Sequence, residues 1–336
     1  MGEKIRIAVI GCGTVVGYGH LPDIEALQEE DVELTGFVDT DPVRLEELSR
    51  RFPKVRQYSN YQEMLASDTT DIVVIATLSS THYQIALDAM NAGKHVLVEK
   101  PPSLSPDECF LMEEKAKETN LICAVDFILR YQKSFLVMRE MLEEGVIGKL
   151  FAVRTVNDWA GADHRGMFTG RQKRIIEGGS SMFHEGIHFV DMIRWISHCE
   201  FKDIYGAGVS IQGKVKGYDN NDHCVMLSRL DNGVLVNMEE SHSFGFSSKD
   251  EVSDRQFVLM GTDGVIIWTE GKGCVKMFGR NETRVVEVSD NKDFISLYRD
   301  FLSSVKTGRF VGNIPTIHDG YEALKVVWKF DSERTY

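Results

Sequence analysis

The sequence has a shortage of basic charge, no long apolar run and no closely spaced pair of cysteines. Its 38 lysines and arginines are outnumbered by 51 aspartates and glutamates, which gives a net charge of −13. That sign repels nucleic acid and anionic lipid, so neither is an expected partner. The longest apolar runs, such as residues 72–76, are too short to span a bilayer.

The spacing of the cysteines argues against a disulfide-rich protein. All six lie far apart and form no C-x-x-C motif, at positions 12, 109, 123, 199, 224 and 274. This spacing indicates free thiols and no disulfide framework. The strand-like residues 5–10 run directly into glycines, so the N-terminus lacks the pattern of a secretory signal. We therefore expect a cytoplasmic protein.

Two kinds of pattern divide the chain. In residues 1–125, short apolar runs are each followed by an amphipathic stretch, which predicts an α/β fold with a doubly wound parallel sheet. In residues 126–336, several strands are joined by turn signals such as DNG (231–233) and are flanked by helices. The second region predicts an α+β domain built on a mostly antiparallel sheet.

The segment GCGTVVG, residues 11–17, follows the first strand and opens a helix. Glycines there let the backbone approach a pyrophosphate at the helix N-terminus. Asp39 ends the second strand, 22 residues after Gly17, where a carboxylate binds ribose hydroxyls. Val16 occupies the third fingerprint position, so either the helix lies farther from the strand or Gly17 acts in a longer loop.

The charge beside this loop bears on the choice of cofactor. Asp39 and Asp41 would both repel the 2′-phosphate of NADP, so NAD is the expected cofactor. Arg44 could reach such a phosphate, which leaves NADP as the alternative.

Several motifs together resemble the Gfo/Idh/MocA family, which is named in part for glucose–fructose oxidoreductase and inositol dehydrogenase. They are GCGTVVGYGHLP (11–22), VDTDP (38–42), ATLSSTHYQIALDAMNAGKHVLVEKP (76–101) and EGGSSMFHEGIHFVD (177–191). The likeness continues to residue 324 and covers nearly the whole chain. It implies a Rossmann domain, expected over residues 1–125, and a domain over 126–336 for substrate binding and oligomerisation. It also implies a subunit interface on the open face of the second sheet, hence a homodimer or homotetramer.

The resemblance carries the family's roles onto individual residues. Its cofactor contacts fall on strand exits and the glycine loop: Gly11, Cys12, Gly13, Thr14, Val15, Asp39, Thr77, Leu78, His82, Glu99 and Lys100. The strand exit at Thr77 usually continues with a proline, and Leu78 replaces it here. The family's G-G-x-x-x-x-D-x-G-x-H motif falls on residues 178–188, with His184 in place of the aspartate. That replacement puts the usual aspartate–histidine–lysine arrangement in doubt.

The segment HEGIH, residues 184–188, also matches the H-E-x-x-H signature of zinc proteases. Gly186 weakens a helix there, and Arg194 stands where one version of that signature needs a third histidine, so this interpretation is disfavoured. We expect His188 to act as general base, with Lys100 donating to the same substrate oxygen. His184 would bind substrate or pass a proton. Two alternatives stay open: satisfied core histidines, or a metal held with His242 or Asp158.

Further residues are candidates for substrate binding. Asp158 could bind sugar hydroxyls and Trp159 could stack on a sugar face, although a core or interface role suits Trp159 equally. The basic loop 164–174, with Arg165 and Arg171, could recognise a carboxylate or phosphate. The alternative for this loop is a solvated segment or a subunit contact.

The predicted function is NAD(P)-dependent hydride transfer between nicotinamide and a secondary alcohol or ketone of a sugar, cyclitol or sugar derivative. Two alternatives remain. One is a relative that keeps and recycles its NAD as an epimerase or glycosidase-like enzyme, and the other is a non-catalytic dinucleotide sensor. The presence of both Lys100 and His188 argues against the sensor.

Overall fold

The computed structural model describes residues 4–28, 32–159, 179–211, 220–245, 248 and 252–333. Its strands are β1 (Ile5–Ile10), β2 (Val32–Val38), β3 (Arg56–Tyr58), β4 (Ile72–Ile75), β5 (His95–Glu99), β6 (Cys123–Asp126), β7 (Leu150–Trp159), β8 (Phe201–Val209), β9 (His223–Leu230), β10 (Leu235–Ser241), β11 (Ser253–Gly261), β12 (Gly264–Thr269), β13 (Cys274–Gly279) and β14 (Thr283–Glu287).

Its α-helices are α1 (Leu21–Leu27), α2 (Pro42–Arg51), α3 (Tyr61–Ala66), α4 (Ser79–Asn91), α5 (Pro106–Thr119), α6 (Lys133–Glu143), α7 (Ile187–Ser197), α8 (Phe294–Thr307) and α9 (Ile317–Glu333). Two π-helical turns, Val16–His20 and Met182–Gly186, and one 3₁₀ turn, Ile128–Tyr131, complete the regular structure of the described residues.

The chain forms two compact units, Met1–Ile128 with Asp293–Tyr321, and Leu129–Lys292 with Glu322–Tyr336. The structure thus differs from the division expected at residue 125, because residues 293–321 belong to the first unit. Two contacts tie this late segment there. Thr316 forms a bridge with Ala124, and the Val125 N–H donates to the Pro315 carbonyl at 3.0 Å.

The first unit contains a parallel sheet in the order β3-β2-β1-β4-β5-β6. The central strands form because their valines and isoleucines are buried on both faces, as in the fully buried run Ile72–Ile75. Strand order reverses between β1 and β4, and ligands bind beyond the carboxyl ends at such a point. The predicted doubly wound sheet is confirmed. The short elements β3 and α3 were missed by the sequence analysis.

The second unit contains a sheet in the order β14-β13-β12-β11-β7-β10-β9-β8. Its neighbours are antiparallel except β7 and β10, which are parallel. Phe135 of α6 packs against Phe257 and Trp268 on one face, with ring centroids 5.4 and 5.0 Å apart. The other face leaves apolar side chains such as Tyr205 and Leu227 exposed. The predicted mostly antiparallel sheet is confirmed.

Candidate active site

The glycine loop begins where β1 ends. The Gly11 N–H donates to the Val38 carbonyl at 2.8 Å, and Gly11 has a φ of +86°. A Cβ atom at this position would lie 2.6 Å from the Ala76 carbonyl oxygen and 2.8 Å from Thr77 Cγ2. Only glycine fits, since β1 and β4 converge here and the backbone needs a left-handed conformation. The remaining loop residues, Cys12, Gly13, Thr14 and Val15, continue from this point into the π turn.

Asp39 is joined directly to this loop. Its Oδ2 accepts a hydrogen bond from the Cys12 N–H at 2.7 Å, and its Oδ1 accepts one from the Asp41 N–H at 2.9 Å. The guanidinium of Arg44 lies 3.6 Å from each of the two carboxylates. Burial and the charge of Asp39 raise the pKa of the Cys12 thiol to about 12, so it stays protonated at neutral pH.

Of the two alternatives for the third fingerprint position, close packing at Gly17 is not supported, because a Cβ at Gly17 would meet nothing within 4 Å. Close packing is found at Gly19 instead. A Cβ at Gly19 would lie 2.8 Å from Phe294 Cζ. Close approach is therefore required against α8, an element distant in the sequence. Gly19 lies within the π turn Val16–His20, whose i→i+5 hydrogen bonds add one residue to the helical turn.

The exit of β4 contains the predicted residues Thr77, Leu78 and His82. Leu78 caps α4 with a φ of −73°, a value that proline would also adopt, so its replacement of the family's proline keeps the backbone conformation. His82 is buried; its Nδ1 lies 2.9 Å from the Pro101 carbonyl oxygen and its Nε2 3.3 Å from that of Thr77. His82 thus joins the β4 exit to the turn after β5.

Glu99 and Lys100 end β5 and enter the turn at Pro101, which follows a cis peptide bond. The Glu99 side chain is buried, and its Oε2 accepts a hydrogen bond from the Lys100 N–H at 3.2 Å. Gly11, Asp39, Thr77 and Lys100 all lie at the carboxyl ends of neighbouring parallel strands.

The HEGIH segment belongs to the second unit. His184 lies in the π turn Met182–Gly186 and His188 in the first turn of α7, so the helix predicted over 182–197 is π-helical in its first turn. Both histidines are buried. A Cβ at Gly186 would lie 2.6 Å from Met182 Sδ and 3.1 Å from Glu240 Cγ. Glycine is therefore needed where this turn approaches β10.

Aromatic rings line one face of the sheet beside this turn. The ring centroids of Trp159 and His242 are 4.8 Å apart, and those of His242 and His184 are 6.4 Å apart. On the same face, Asn157 Nδ2 donates to Glu240 Oε2 at 2.7 Å. Burial, together with the charges of Glu185 and Asp158, raises the pKa of Glu240 well above its ordinary value despite the bond from Asn157.

Asp158 points away from that group. Neighbouring residues on a strand face opposite sides, so the Asp158 side chain lies on the opposite face of the sheet from Trp159. Carboxylate and imidazole atoms of Asp158, His223 and Glu239 instead lie within 4.8 Å of one another. Burial, followed by the charge of Glu239, raises the pKa of Asp158 to about 7.

The other predicted residues cannot be placed. Arg165 and Arg171 of the basic loop, together with Gly178, lie outside the described residues. Conversely, the sequence analysis missed a buried polar group in the first unit, formed by His20, Glu99, Asp126 and Tyr298. Acidic residues at the ends of two apolar strands were the available signal. Nothing local to Tyr298 indicated that it would join them.

Comparison with protein families gives two matches. Residues 5–127 match the model described as "Oxidoreductase family, NAD-binding Rossmann fold", and residues 135–267 match the "GFO/IDH/MocA C-terminal domain". Together the models cover well over half of the chain. Among the helices of the described residues, none is long and apolar enough to cross a membrane.

Relatives with assigned activities are distant but extend over most of the chain. Levoglucosan dehydrogenase from Pseudarthrobacter phenanthrenivorans is 24% identical, covering 88% of this chain and 78% of that protein. Myo-inositol 2-dehydrogenase from Thermotoga maritima is 25% identical, covering 92% and 88%. A solved structure of levoglucosan dehydrogenase with NADH and levoglucosan superposes with a TM-score of 0.85 at 20% identity, covering 99% of this chain and 98% of that one. This structural likeness shows the shared fold.

Proposed function

From the premise that this chain belongs to the Gfo/Idh/MocA oxidoreductase family, we propose that its substrate is a sugar, a cyclitol or a close derivative of one. The chain is an NAD-dependent dehydrogenase that acts on CH–OH groups. The single observation that supports the substrate class is that relatives named for an anhydrosugar and for a cyclitol both align over most of the chain.

The residues of the first unit fit a dinucleotide. Gly11 lets β1 end close against Ala76 and Thr77, and the glycine loop that follows leads into a helical turn, where a pyrophosphate would bind. Asp39 stands at the end of β2 with a carboxylate suited to ribose hydroxyls. Arg44 lies against Asp39 and Asp41, which supports NAD over NADP because the guanidinium already faces two carboxylates. When bound, the nicotinamide accepts or supplies the hydride.

We assign the proton chemistry to two side chains. Lys100, at the exit of β5, donates a hydrogen bond to the reacting oxygen and stabilises its developing negative charge. His188 takes the hydroxyl proton during oxidation and returns it during reduction, since an imidazole exchanges protons near neutral pH. His184, in place of the family's aspartate, is a substrate contact. Trp159, whose ring lies beside that of His242, provides an aromatic side chain that suits the C–H face of a sugar ring.

A substrate screen tests this function. Sugars, polyols, cyclitols, uronates and nucleotide sugars are supplied with NAD or NADP, and the absorbance of the reduced cofactor is followed. We expect net reduction of free NAD with at least one neutral polyol or sugar. Turnover of a substrate without net reduction would instead indicate an enzyme that recycles bound NAD. NAD binding with no turnover of any substrate would favour the sensor.

Two substitutions test the assigned residues. Lys100→Ala and His188→Ala should keep NAD binding by calorimetry and should each lower kcat by about 10²–10⁴-fold, the usual range for a lost acid–base group. Lys133→Ala, at the start of α6, is the matched surface-charge control and should keep wild-type turnover. Wild-type turnover by either active-site variant would refute its assignment.

We also propose that the chain self-associates through the open face of the second sheet. Tyr205 and Leu227 pair directly across β8 and β9, and both are more than half exposed. Exposed apolar patches of this kind mark association surfaces. Light scattering of the wild type should give a dimer or tetramer mass, and Leu227→Glu should lower it. A wild-type monomer would contradict this proposal without affecting the assigned chemistry.

A further inference from the structure

We infer that His20 is a positioning residue for Lys100, and that it acts through Glu99 within a buried network that also includes Asp126 and Tyr298. The inference rests on the proposed role of Lys100. His20 itself is too deeply buried to touch substrate, since its exposed fraction is 0%.

The network has a defined geometry. His20 ends the π turn after the glycine loop, and its Nδ1 lies 2.8 Å from the Tyr298 hydroxyl. Its Nε2 lies 3.0 Å from Glu99 Oε1 and 3.5 Å from Asp126 Oδ2. Glu99 and Asp126 are direct neighbours in the register of β5 and β6. One imidazole therefore joins two carboxylates at adjacent strand ends.

Glu99 carries this contact on to Lys100. One carboxylate oxygen of Glu99 faces His20, and the other accepts the Lys100 N–H at 3.2 Å. A carboxylate held at both oxygens cannot turn without losing a hydrogen bond. His20 thus fixes the side chain that holds the backbone from which the Lys100 amine extends.

The charges of the network favour an imidazolium at position 20. Burial alone would lower the pKa of His20, but the hydrogen bond with Glu99 and the negative charges of Asp126, Glu99 and Asp23 outweigh it, so the pKa is raised. An imidazolium donates from both nitrogens, and here each nitrogen faces an acceptor. Burial and the same acids raise the pKa of Tyr298 well above its ordinary value, so its hydroxyl stays neutral. The Phe294 ring, 5.2 Å away, encloses the imidazole from α8.

The main test compares His20→Gln with His95→Gln. His95 lies at the opposite end of β5, where its Nδ1 accepts the Ile122 N–H at 2.9 Å, so the control makes the same substitution far from Lys100. We expect His20→Gln to lower kcat by about 10–100-fold, the effect of misplacing a reacting group by up to an ångström. Its Kd for NAD should stay within about threefold of wild type, because ground-state binding is not what the network provides. Equal kcat values for the two variants would overturn the inference.

A second measurement does not depend on turnover. The His20 imidazole resonance, identified by its absence in His20→Gln, is titrated by NMR in protein without cofactor. We expect its pKa to lie above the ordinary value of about 6.5, and a lower value would overturn the inference. This measurement stands even if His20→Gln folds poorly, since Tyr298→Phe can identify the same resonance by its shift.

A second substitution, Asp126→Asn, tests whether the kcat lost in His20→Gln can be partly recovered. His20→Gln removes the imidazole that faces both Glu99 and Asp126, whereas His20→Gln with Asp126→Asn also removes one of the two neighbouring negative charges. We expect the double variant to recover part of the lost kcat, and a kcat equal to or below that of His20→Gln would contradict the network's role.

Lys100→Ala, assayed in parallel, distinguishes failure of the proposed function from failure of the positioning role of His20. Wild-type turnover by Lys100→Ala would refute the proposed function. Loss of turnover in Lys100→Ala together with unchanged turnover in His20→Gln would refute the positioning role alone.

Discussion

Asp39→Asn tests how the first unit selects its cofactor. In the structure each carboxylate oxygen of Asp39 accepts one backbone N–H, from Cys12 at 2.7 Å and from Asp41 at 2.9 Å. Asparagine keeps the size of the side chain but offers a single acceptor oxygen and no charge. One of the two N–H groups therefore loses its acceptor. If Asp39 binds the ribose of NAD, the ribose hydroxyls also lose a charged acceptor.

The magnitude follows from the bonds that are lost. A hydrogen bond to a charged group contributes about 1.5–3 kcal/mol, which corresponds to a Kd for NAD about 10–150-fold higher in Asp39→Asn. The Kd for NADP should rise less or fall, because the repulsion of its 2′-phosphate decreases while Arg44 remains 3.6 Å from Asp41. The free energy of unfolding should fall by about 1–3 kcal/mol, since a partly buried N–H is left unpaired.

Calorimetry with both cofactors, supported by urea denaturation, measures these effects. Asp41→Asn is the matched control. It removes a charge from the same site, but asparagine caps α2 as well as aspartate does, and Asp41 makes no bond to the glycine loop. Its Kd for NAD should change by less than about threefold. An unchanged NAD affinity in Asp39→Asn, or equal losses for NAD and NADP, would refute the assignment of Asp39 to the ribose.

Three further predictions concern stability. Because the pKa of His20 is raised in the folded state, its protonation stabilises the fold fully below the unfolded pKa of about 6.5, and this stabilisation is lost as pH rises through the higher folded pKa. The difference in melting temperature between wild type and His20→Gln should therefore decrease as pH rises from about 6.5 through the folded pKa, and a difference that stays constant would contradict this prediction. Gly186→Ala should lower the free energy of unfolding by about 1–3 kcal/mol through overpacking, whereas Gly17→Ala should not lower it, because its Cβ meets open space; equal losses in denaturant melts would contradict this difference. Asp191→Asn should cost about 3–5 kcal/mol because it leaves Arg130 buried without the carboxylate 2.5–2.8 Å away, and a urea midpoint near wild type would refute it.

The local patterns of the sequence predicted the architecture well. Buried valine and isoleucine strands followed by amphipathic helices indicate a parallel sheet whatever surrounds them, and Ile72–Ile75 is buried throughout. The glycine loop, Asp39 and Lys100 lie at strand exits as predicted, because carboxyl ends of parallel strands share one edge. Family, cofactor and class of enzyme were likewise predicted from motifs and are confirmed.

Features that depend on contacts distant in sequence were not predicted. Gly19 is needed because of Phe294, and the buried position of His20 depends on Tyr298. Neither contact can be recognised from the residues near it in the sequence. The placement of Asp158 and Trp159 on opposite faces of the sheet, by contrast, follows from the alternation of side chains along β7. The catalytic roles of Lys100, His184 and His188 remain predictions.

The first unit is discontinuous along the chain, and this has a consequence for its synthesis. A ribosome that has completed β6 must still add Leu129–Lys292 before it begins α8. At about 5–20 residues per second, the nascent Rossmann layer waits roughly 10–30 s before Phe294, Tyr298 and Thr316 emerge to cover it. During that interval the residues that these side chains cover in the complete first unit stay exposed to solvent. A nonsense mutation late in the reading frame would therefore damage the domain that was translated first.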